Sequence, residues 1–146
     1  SLSGGLLPVQ FGEEVVVYRI LKNKAVEVLG TGPVAEEERA YLAREPAYGN
    51  MAELGLGVLG DFGLEPSGEI LLDEKLGLHI AFGRSDHFGG QVGLDSFTAP
   101  GEAVHIDRVY IRETQPEVHV DFVDLRMDDG QLRRIIEDGQ YTIKWQ

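Results

Sequence analysis

Cysteine is absent from this chain of 146 residues, and its absence excludes several kinds of chemistry. Without a thiol there is no disulfide, no cysteine metal ligand and no cysteine nucleophile. A chain without cysteine is typical of a reducing compartment, so we expect a cytoplasmic protein. Long apolar runs are also missing: none approaches the roughly 20 residues that a membrane-spanning helix needs, and no membrane partner is expected.

Basic residues are scarce, since 13 lysines and arginines stand against 25 acidic residues, a formal charge of −12. Such a surface repels phosphate backbones, so no nucleic-acid partner is expected, whereas cations are attracted. The hydrophobic content of 42% is ordinary for a globular protein, and we interpret residues 1–146 as a single domain. Because the chain opens SLSGG without methionine, we expect it to be part of a longer protein.

Strand-like segments dominate the rest of the pattern. Segments 15–22 and 24–30 predict a hairpin that turns near Asn23. One clear helix is predicted over 34–44, with acidic residues early, arginines late and Pro46 beyond its end. Other strands are predicted at 76–82, 103–112, 117–126 and 140–145, with Asp-Gly turns at 129–130 and 138–139. The fold class is therefore α+β, a mostly antiparallel, barrel-like sheet with one main helix.

Two predicted strands place a polar side chain among very small neighbours. Glu53 shares its strand face with Gly55 and Gly57 and lies opposite an apolar face. His79 is in the same position, with glycine and alanine two residues away on either side. Glycine within a strand often marks the close approach of a ligand or another backbone, so we expect open space beside both side chains.

A third strand, in the stretch AVHIDRVYI, carries two polar residues on one face. His105 and Asp107 are two residues apart, and Val109 and Ile111 continue the same face. Together the three strands supply two imidazoles and two carboxylates without a thiol, which suits Zn, Mn, Fe or Co. Two histidines and one carboxylate also meet the requirement of a mononuclear Fe(II) site.

Structural interpretations of these residues remain open. A strand histidine such as His79 is often a structural residue, and His105 with Asp107 could be a hydrogen-bonded pair that faces solvent. Glu53 could form an ion pair with an arginine such as Arg84 or Arg108.

Other polar residues are interpreted as surface groups. Asp73 and Glu74, near a short helix, are interpreted either as an acidic turn of the helix N-terminal type or as solvated residues. His119 lies on the polar face of its strand. Asp86 and His87, in a glycine-rich loop, could enter or cover a metal site.

The order of three segments resembles a known family. GNMAELGLG, then GEILLDEKLGLHIAFGRSDHFGG, then AVHIDRV are similar to the C-terminal part of the thermophilic aminopeptidases of the T and S type. The likeness is strongest to the leucyl-aminopeptidase-like group, which the ring-cleaving dihydroxypyridine dioxygenases also resemble. It extends from Gly49 to Val109, under half of the chain.

The resemblance implies a metallopeptidase site in which a pair of divalent metals activates water and polarises the scissile carbonyl. The ligands it implies are Glu53, His79, His105 and Asp107. Two positions depart from the family pattern, because Ala103 replaces a second histidine and Asp86 replaces a tyrosine. The second metal position therefore looks incomplete.

We accordingly expect the C-terminal metal-binding domain of an aminopeptidase-like hydrolase that uses Zn, Co, Mn or Fe(II). In this hypothesis Arg84 binds a substrate carboxylate and Asp86 and His87 are catalytic. The expected substrate is a small peptide or another small molecule, and the expected assembly is a homodimer. One alternative is a mononuclear Fe(II) ring-cleaving dioxygenase, and another is an assembly or binding domain that has lost its chemistry.

Overall fold

Nine strands and two α-helices are present in the computed structural model, which describes residues 2–143. Of the strand predicted at 140–145, residues 144 and 145 lie outside the described part. The strands are β1 (Gly4–Phe11), β2 (Glu14–Leu21), β3 (Lys24–Leu29), β4 (Met51–Leu56), β5 (Leu78–Gly83), β6 (His105–Val109), β7 (Phe122–Arg126), β8 (Leu132–Glu137) and β9 (Gln140–Tyr141). The helices are α1 (Pro33–Arg44) and α2 (Ile70–Asp73).

The first sheet has the order β1-β2-β3 and is antiparallel throughout. The predicted hairpin is confirmed, and it turns at Lys22 and Asn23, which have φ values of 52° and 64°. Asparagine tolerates this left-handed conformation, which a two-residue hairpin turn requires at both positions. Strand β1 was not predicted, because its Gly-Gly start and Pro8 weaken the strand signal. An edge strand accepts proline, since its outer side needs no ladder hydrogen bond.

The predicted helix is confirmed as α1. The carboxylate of Glu14, at the start of β2, accepts hydrogen bonds from the free amides of Val34 (3.2 Å) and Ala35 (3.1 Å). These bonds satisfy donors that a helix cannot pair internally. Ala35 is buried in the core formed with the first sheet, where Val9 and Val16 are almost completely shielded from solvent.

The second sheet, with the order β4-β5-β6, is also antiparallel and contains the predicted metal ligands. It joins the first sheet through Phe82, which is buried with the ring of Tyr18 at a centroid distance of 5.5 Å. A backbone hydrogen bond of 2.8 Å from Met51 to Asn23 continues this junction. The sheet that carries the four predicted ligands is thereby attached to the main core.

The third sheet, β7-β8-β9, confirms both predicted Asp-Gly turns, because they join β7 to β8 and β8 to β9. Strands β6 and β7, predicted as successive strands around Pro116, belong to different sheets. The α+β class is confirmed. The described residues form three separate small sheets, so the barrel-like closure remains a prediction. Within residues 2–143, no helix has the length and apolar character required to cross a membrane.

Candidate metal centre

The register of the second sheet brings four side chains together over one point. Glu53 on β4 and Asp107 on β6 are both paired with Ala81, the fully buried residue at the middle of β5. His79 precedes Ala81 by two residues and His105 precedes Asp107 by two. Since strand side chains alternate with a period of two, all four project from the same face, and the alanine methyl leaves room above the sheet.

The Nε2 atoms of both histidines lie close to the Glu53 carboxylate. His79 Nε2 lies 3.4 Å from Glu53 Oε1, and His105 Nε2 lies 3.3 Å from Glu53 Oε2. His105 Nε2 is also 3.7 Å from Asp107 Oδ1. One ligand atom each from Glu53, His79 and Asp107 lies within 4.8 Å of the other two. His105 is not part of that group of three, but it adjoins the group through its distances to Glu53 and Asp107, and the four residues predicted as ligands lie together in this sense.

Both imidazoles are oriented by backbone carbonyls behind them. His79 Nδ1 is 3.2 Å from the carbonyl oxygen of Gly77, and His105 Nδ1 is 2.8 Å from that of Arg84. A carbonyl can only accept a hydrogen bond, so each Nδ1 carries the proton. In neutral imidazole the lone pair is then on Nε2, which faces the cluster and is available to a metal.

Gly55 is required for the position of His79. The two residues are paired across β4 and β5, and a Cβ atom added at Gly55 would lie 1.9 Å from His79 Nε2. The space expected beside the small residues is therefore filled, at Gly55, by the histidine ring itself.

Asp107 has features that suit a metal ligand. Its side chain is only 3% exposed, and its Oδ1 atom has no hydrogen-bond partner among the described residues. Burial raises the pKa of this carboxyl group, against the attraction of His105. An unpaired buried carboxylate is costly, and a bound cation removes that cost. The donor set and the unpaired oxygen thus fit a divalent metal.

The glycine-rich loop lies beside the cluster, and its charged residues pair with each other. Arg84 donates to both carboxylate oxygens of Asp86, at 2.5 and 3.1 Å, which holds the pKa of Asp86 below its usual value. His87 is closer to the cluster of candidate ligands, with its ring edge-on to His105 at a centroid distance of 4.9 Å. The structure brings His87 to the cluster and directs Asp86 towards Arg84.

The alternative ion pair for Glu53 is not formed with either arginine. Arg84 is occupied by Asp86, and the guanidinium of Arg108 lies over the ring of Phe11, 4.5 Å from its centroid. A solvent-facing pair of His105 and Asp107 is also ruled out, because the Asp107 side chain is buried. His119 is confirmed as a surface residue, with a side chain that is 63% exposed.

The interpretation of Asp73 as solvated was wrong. Asp73 is buried and accepts hydrogen bonds from Ser67 N (2.7 Å), Ser67 Oγ (2.9 Å) and Gly68 N (2.9 Å). Those bonds hold its pKa below the usual value. Glu74 is also mostly covered, with a side chain that is 17% exposed. The sequence feature that could have indicated the burial of Asp73 and Glu74 is their position just before β5, the strand that carries His79.

An open cleft of about 540 Å³ adjoins the cluster. Its polar wall includes Arg84, His87, His105 and Asp107. The apolar wall is formed by Leu71, Leu94, Pro100, Ala103 and Val104. A small molecule in this cleft would therefore contact two of the candidate ligands directly.

Comparison with known proteins finds no matching family model, curated protein or solved structure. The resemblance to the aminopeptidases consequently rests on the three quoted segments alone. The geometry of the cluster is an argument from the chain itself and stands independently of that resemblance.

Proposed function

We propose that this protein is a metal-dependent hydrolase of the aminopeptidase type. The observation that carries the proposal is the buried Oδ1 of Asp107, which has no hydrogen-bond partner among the described residues. Asp107 belongs to a group of convergent ligand atoms with Glu53 and His79, and His105 Nε2 lies 3.7 Å from its Oδ1. The residues that would hold the metal are Glu53, His79, His105 and Asp107. When bound, a divalent cation supplies Lewis acidity: it acidifies water and polarises a carbonyl.

Ligand orientation and proton transfer are the roles of the protein's own side chains. The two Nδ1 hydrogen bonds keep His79 and His105 in the tautomer that presents Nε2, and such outer contacts also fix ring orientation. His87, beside His105 at the cleft, is placed to carry a proton between the substrate and solvent. Asp86, which is paired with Arg84, also lies near that ring, with its Oδ1 3.6 Å from His87 Nδ1.

The cleft supports a small peptide as substrate. Its apolar wall suits a hydrophobic side chain, and a metal held by the candidate ligands that line the cleft would suit a peptide carbonyl. Arg84 lies in the same cleft and can bind a substrate carboxylate in place of Asp86, because guanidinium pairs with carboxylates through two parallel bonds. We further propose a cytoplasmic homodimer with a barrel-like sheet, on the grounds of composition and resemblance.

The first experiment is calorimetric titration of the metal-stripped protein with Zn²⁺, Mn²⁺ and anaerobic Fe²⁺. The wild-type protein and the His119→Ala control should bind about one equivalent, since His119 is an exposed histidine outside the cluster. His105→Ala should lose this binding. Equal binding by wild type and His105→Ala would remove His105 from the site, and absence of binding to the wild type would refute the metal centre.

Peptide hydrolysis is the second test. Release of N-terminal residues from short peptides should require the metal, and His87→Ala should lower kcat by about 10²- to 10⁴-fold if His87 carries the proton. His119→Ala again serves as the control. Full activity after metal removal would contradict the mechanism.

An oxidative function is a second candidate. The Glu53 carboxylate has one imidazole nitrogen near each oxygen, His79 Nε2 at 3.4 Å and His105 Nε2 at 3.3 Å, and two histidines with one carboxylate are the ligand types of mononuclear Fe(II) oxygenases. Ala103, which replaces a histidine of the peptidase pattern, favours a single metal. Oxygen uptake with a dihydroxypyridine that depends on Fe²⁺ would support ring cleavage, and its absence alongside peptide hydrolysis would exclude it.

A further inference from the structure

Arg84 connects the wall of the cleft with the loop that follows β5. Its backbone is held on both sides, because its amide donates to the Val104 carbonyl at 2.7 Å and its carbonyl oxygen lies 2.8 Å from His105 Nδ1. The side chain is less restrained and is 37% exposed. Arg84 therefore orients a candidate ligand through its main chain and supplies a guanidinium beside the cleft through its side chain.

Negative charge surrounds this cleft. Asp107 is part of its wall, Glu53 lies 3.3 Å from His105 at the same place, and the whole chain carries a formal charge of −12. Among the described residues that line the cleft, Arg84 is the only lysine or arginine. A ligand with a carboxylate can enter such surroundings only if it meets a cation, and an arginine is charged at every physiological pH.

A carboxylate of the protein itself already occupies this guanidinium. Asp86 accepts hydrogen bonds from two nitrogens of Arg84, at 2.5 and 3.1 Å, which is the paired arrangement by which a guanidinium recognises carboxylates in general. The Asp86 side chain is 39% exposed. Ion pairs as exposed as this one contribute little net free energy, so an incoming carboxylate can exchange with Asp86.

The backbone around Asp86 is firmly held. The amide of the buried Ser85 donates to the Val92 carbonyl at 2.8 Å, and the Ser85 carbonyl accepts a hydrogen bond of 2.9 Å from Gly90. A Cβ atom at Gly90 would lie 2.2 Å from Ser85 Oγ, so glycine is needed where the loop closes on itself. The exchange at Arg84 therefore requires side-chain rotation and no opening of the loop.

We propose that the cleft selects short peptides with a free C-terminal carboxylate and that Asp86 is a built-in competitor for Arg84. This inference rests on the proposed function, because it assigns the substrate to the same cleft. The peptide carboxylate replaces Asp86 on the guanidinium, and the rest of the peptide lies along the apolar wall towards His105. A peptide that ends in an amide cannot pair with Arg84 in this way and gains nothing from displacing Asp86.

The test is titration of the metal-free full chain with leucyl-leucine and with its C-terminal amide, followed by NMR chemical shifts. Asp86→Asn should bind leucyl-leucine about fivefold more tightly than the wild type does, because the competing carboxylate is gone, and should not bind the amide more tightly. Asp124→Asn is the matched control. Asp124 pairs with Arg134 through the same two bonds, at 2.8 and 3.2 Å, in the third sheet. This control should bind both peptides as the wild type does.

A double variant separates pairing with Arg84 from a general change in charge. Removing the charge of Asp86 makes the cleft less acidic, which favours any anion. Asp86→Asn combined with Arg84→Gln should bind leucyl-leucine no more tightly than Arg84→Gln alone, since the gain passes through the guanidinium. A gain that persists in the double variant would overturn the inference. Acetate that binds as tightly as leucyl-leucine would overturn the assignment to a peptide.

The peptide titration contains no metal, so its result is distinct from that of the metal titration. If the wild type binds no metal, the proposed hydrolase is refuted, and the peptide titration still decides the roles of Arg84 and Asp86. If the wild type binds metal and Asp86→Asn shows no preference for the carboxylate over the amide, only this inference is refuted. If Asp86→Asn fails to fold, Arg84→Gln decides. The wild type should then prefer leucyl-leucine and Arg84→Gln should not, and equal preference in both would overturn the inference.

Discussion

Replacing Gly55 by alanine tests the geometry of the proposed metal site with a single methyl group. The added Cβ would lie 1.9 Å from His79 Nε2 and 2.1 Å from its Cε1, so the imidazole must leave its position. Displacement breaks the bond between His79 Nδ1 and the Gly77 carbonyl and turns Nε2 away from Glu53. Overpacking of this kind costs about 1–3 kcal/mol of stability, and cation binding should be lost.

The measurement is urea unfolding together with metal titration. Gly101→Ala is the control, because a Cβ there meets nothing within 4 Å. Combining Gly55→Ala with His79→Ala should remove most of the stability penalty, since the atoms that clash are then absent. A Gly55→Ala protein that keeps wild-type stability and wild-type metal affinity would refute the packing of His79 against Gly55 and the metal site built on it.

Three further predictions address Asp107, Glu45 and Phe82. Asp107→Asn should abolish metal binding, yet the metal-free variant should be as stable to urea as the metal-free wild type. The reason is that a buried oxygen without a hydrogen-bond partner costs the wild type about 1–3 kcal/mol, and the substitution removes the charge on that group. Glu45 accepts bonds from Thr98 Oγ1 (2.6 Å) and Thr98 N (2.7 Å), which lower its pKa. Its ionised form therefore stabilises the fold above its unfolded pKa of about 4, and this contribution is lost as the pH falls through its lower folded pKa. The melting temperature of Glu45→Gln should therefore fall less steeply with decreasing pH than that of the wild type. The same pH dependence in both proteins would contradict this role of Glu45. Phe82→Ala should cost about 3–5 kcal/mol in urea unfolding, because it removes a buried ring between two sheets, and a loss below 1 kcal/mol would count against that packing.

Local interactions account for the elements that were predicted correctly. The hairpin turn at Lys22 and Asn23, helix α1 and the two Asp-Gly turns depend on residues close together in the chain. Strand β1 escaped prediction because its Gly-Gly start and Pro8 weaken the strand signal, and its pairing with β2 is seen only in the fold.

The candidate ligands were recognised in the sequence as polar residues on apolar strands, but their assembly was not determined there. Glu53 and Asp107 are 54 residues apart. They meet only because both strands pair with β5 at Ala81, and a shift of one residue in either strand would turn a ligand to the opposite face. Register is a property of the whole sheet.

The sequence by itself determined the donor types, the absence of thiol chemistry, the acidic charge and the local turns, since these follow from residue identity and near neighbours. The tertiary structure alone decided that Asp107 has a buried oxygen without a hydrogen-bond partner among the described residues and that Arg84 is paired with Asp86. Burial and pairing of charged groups depend on what packs against them, and those neighbours come from distant parts of the chain.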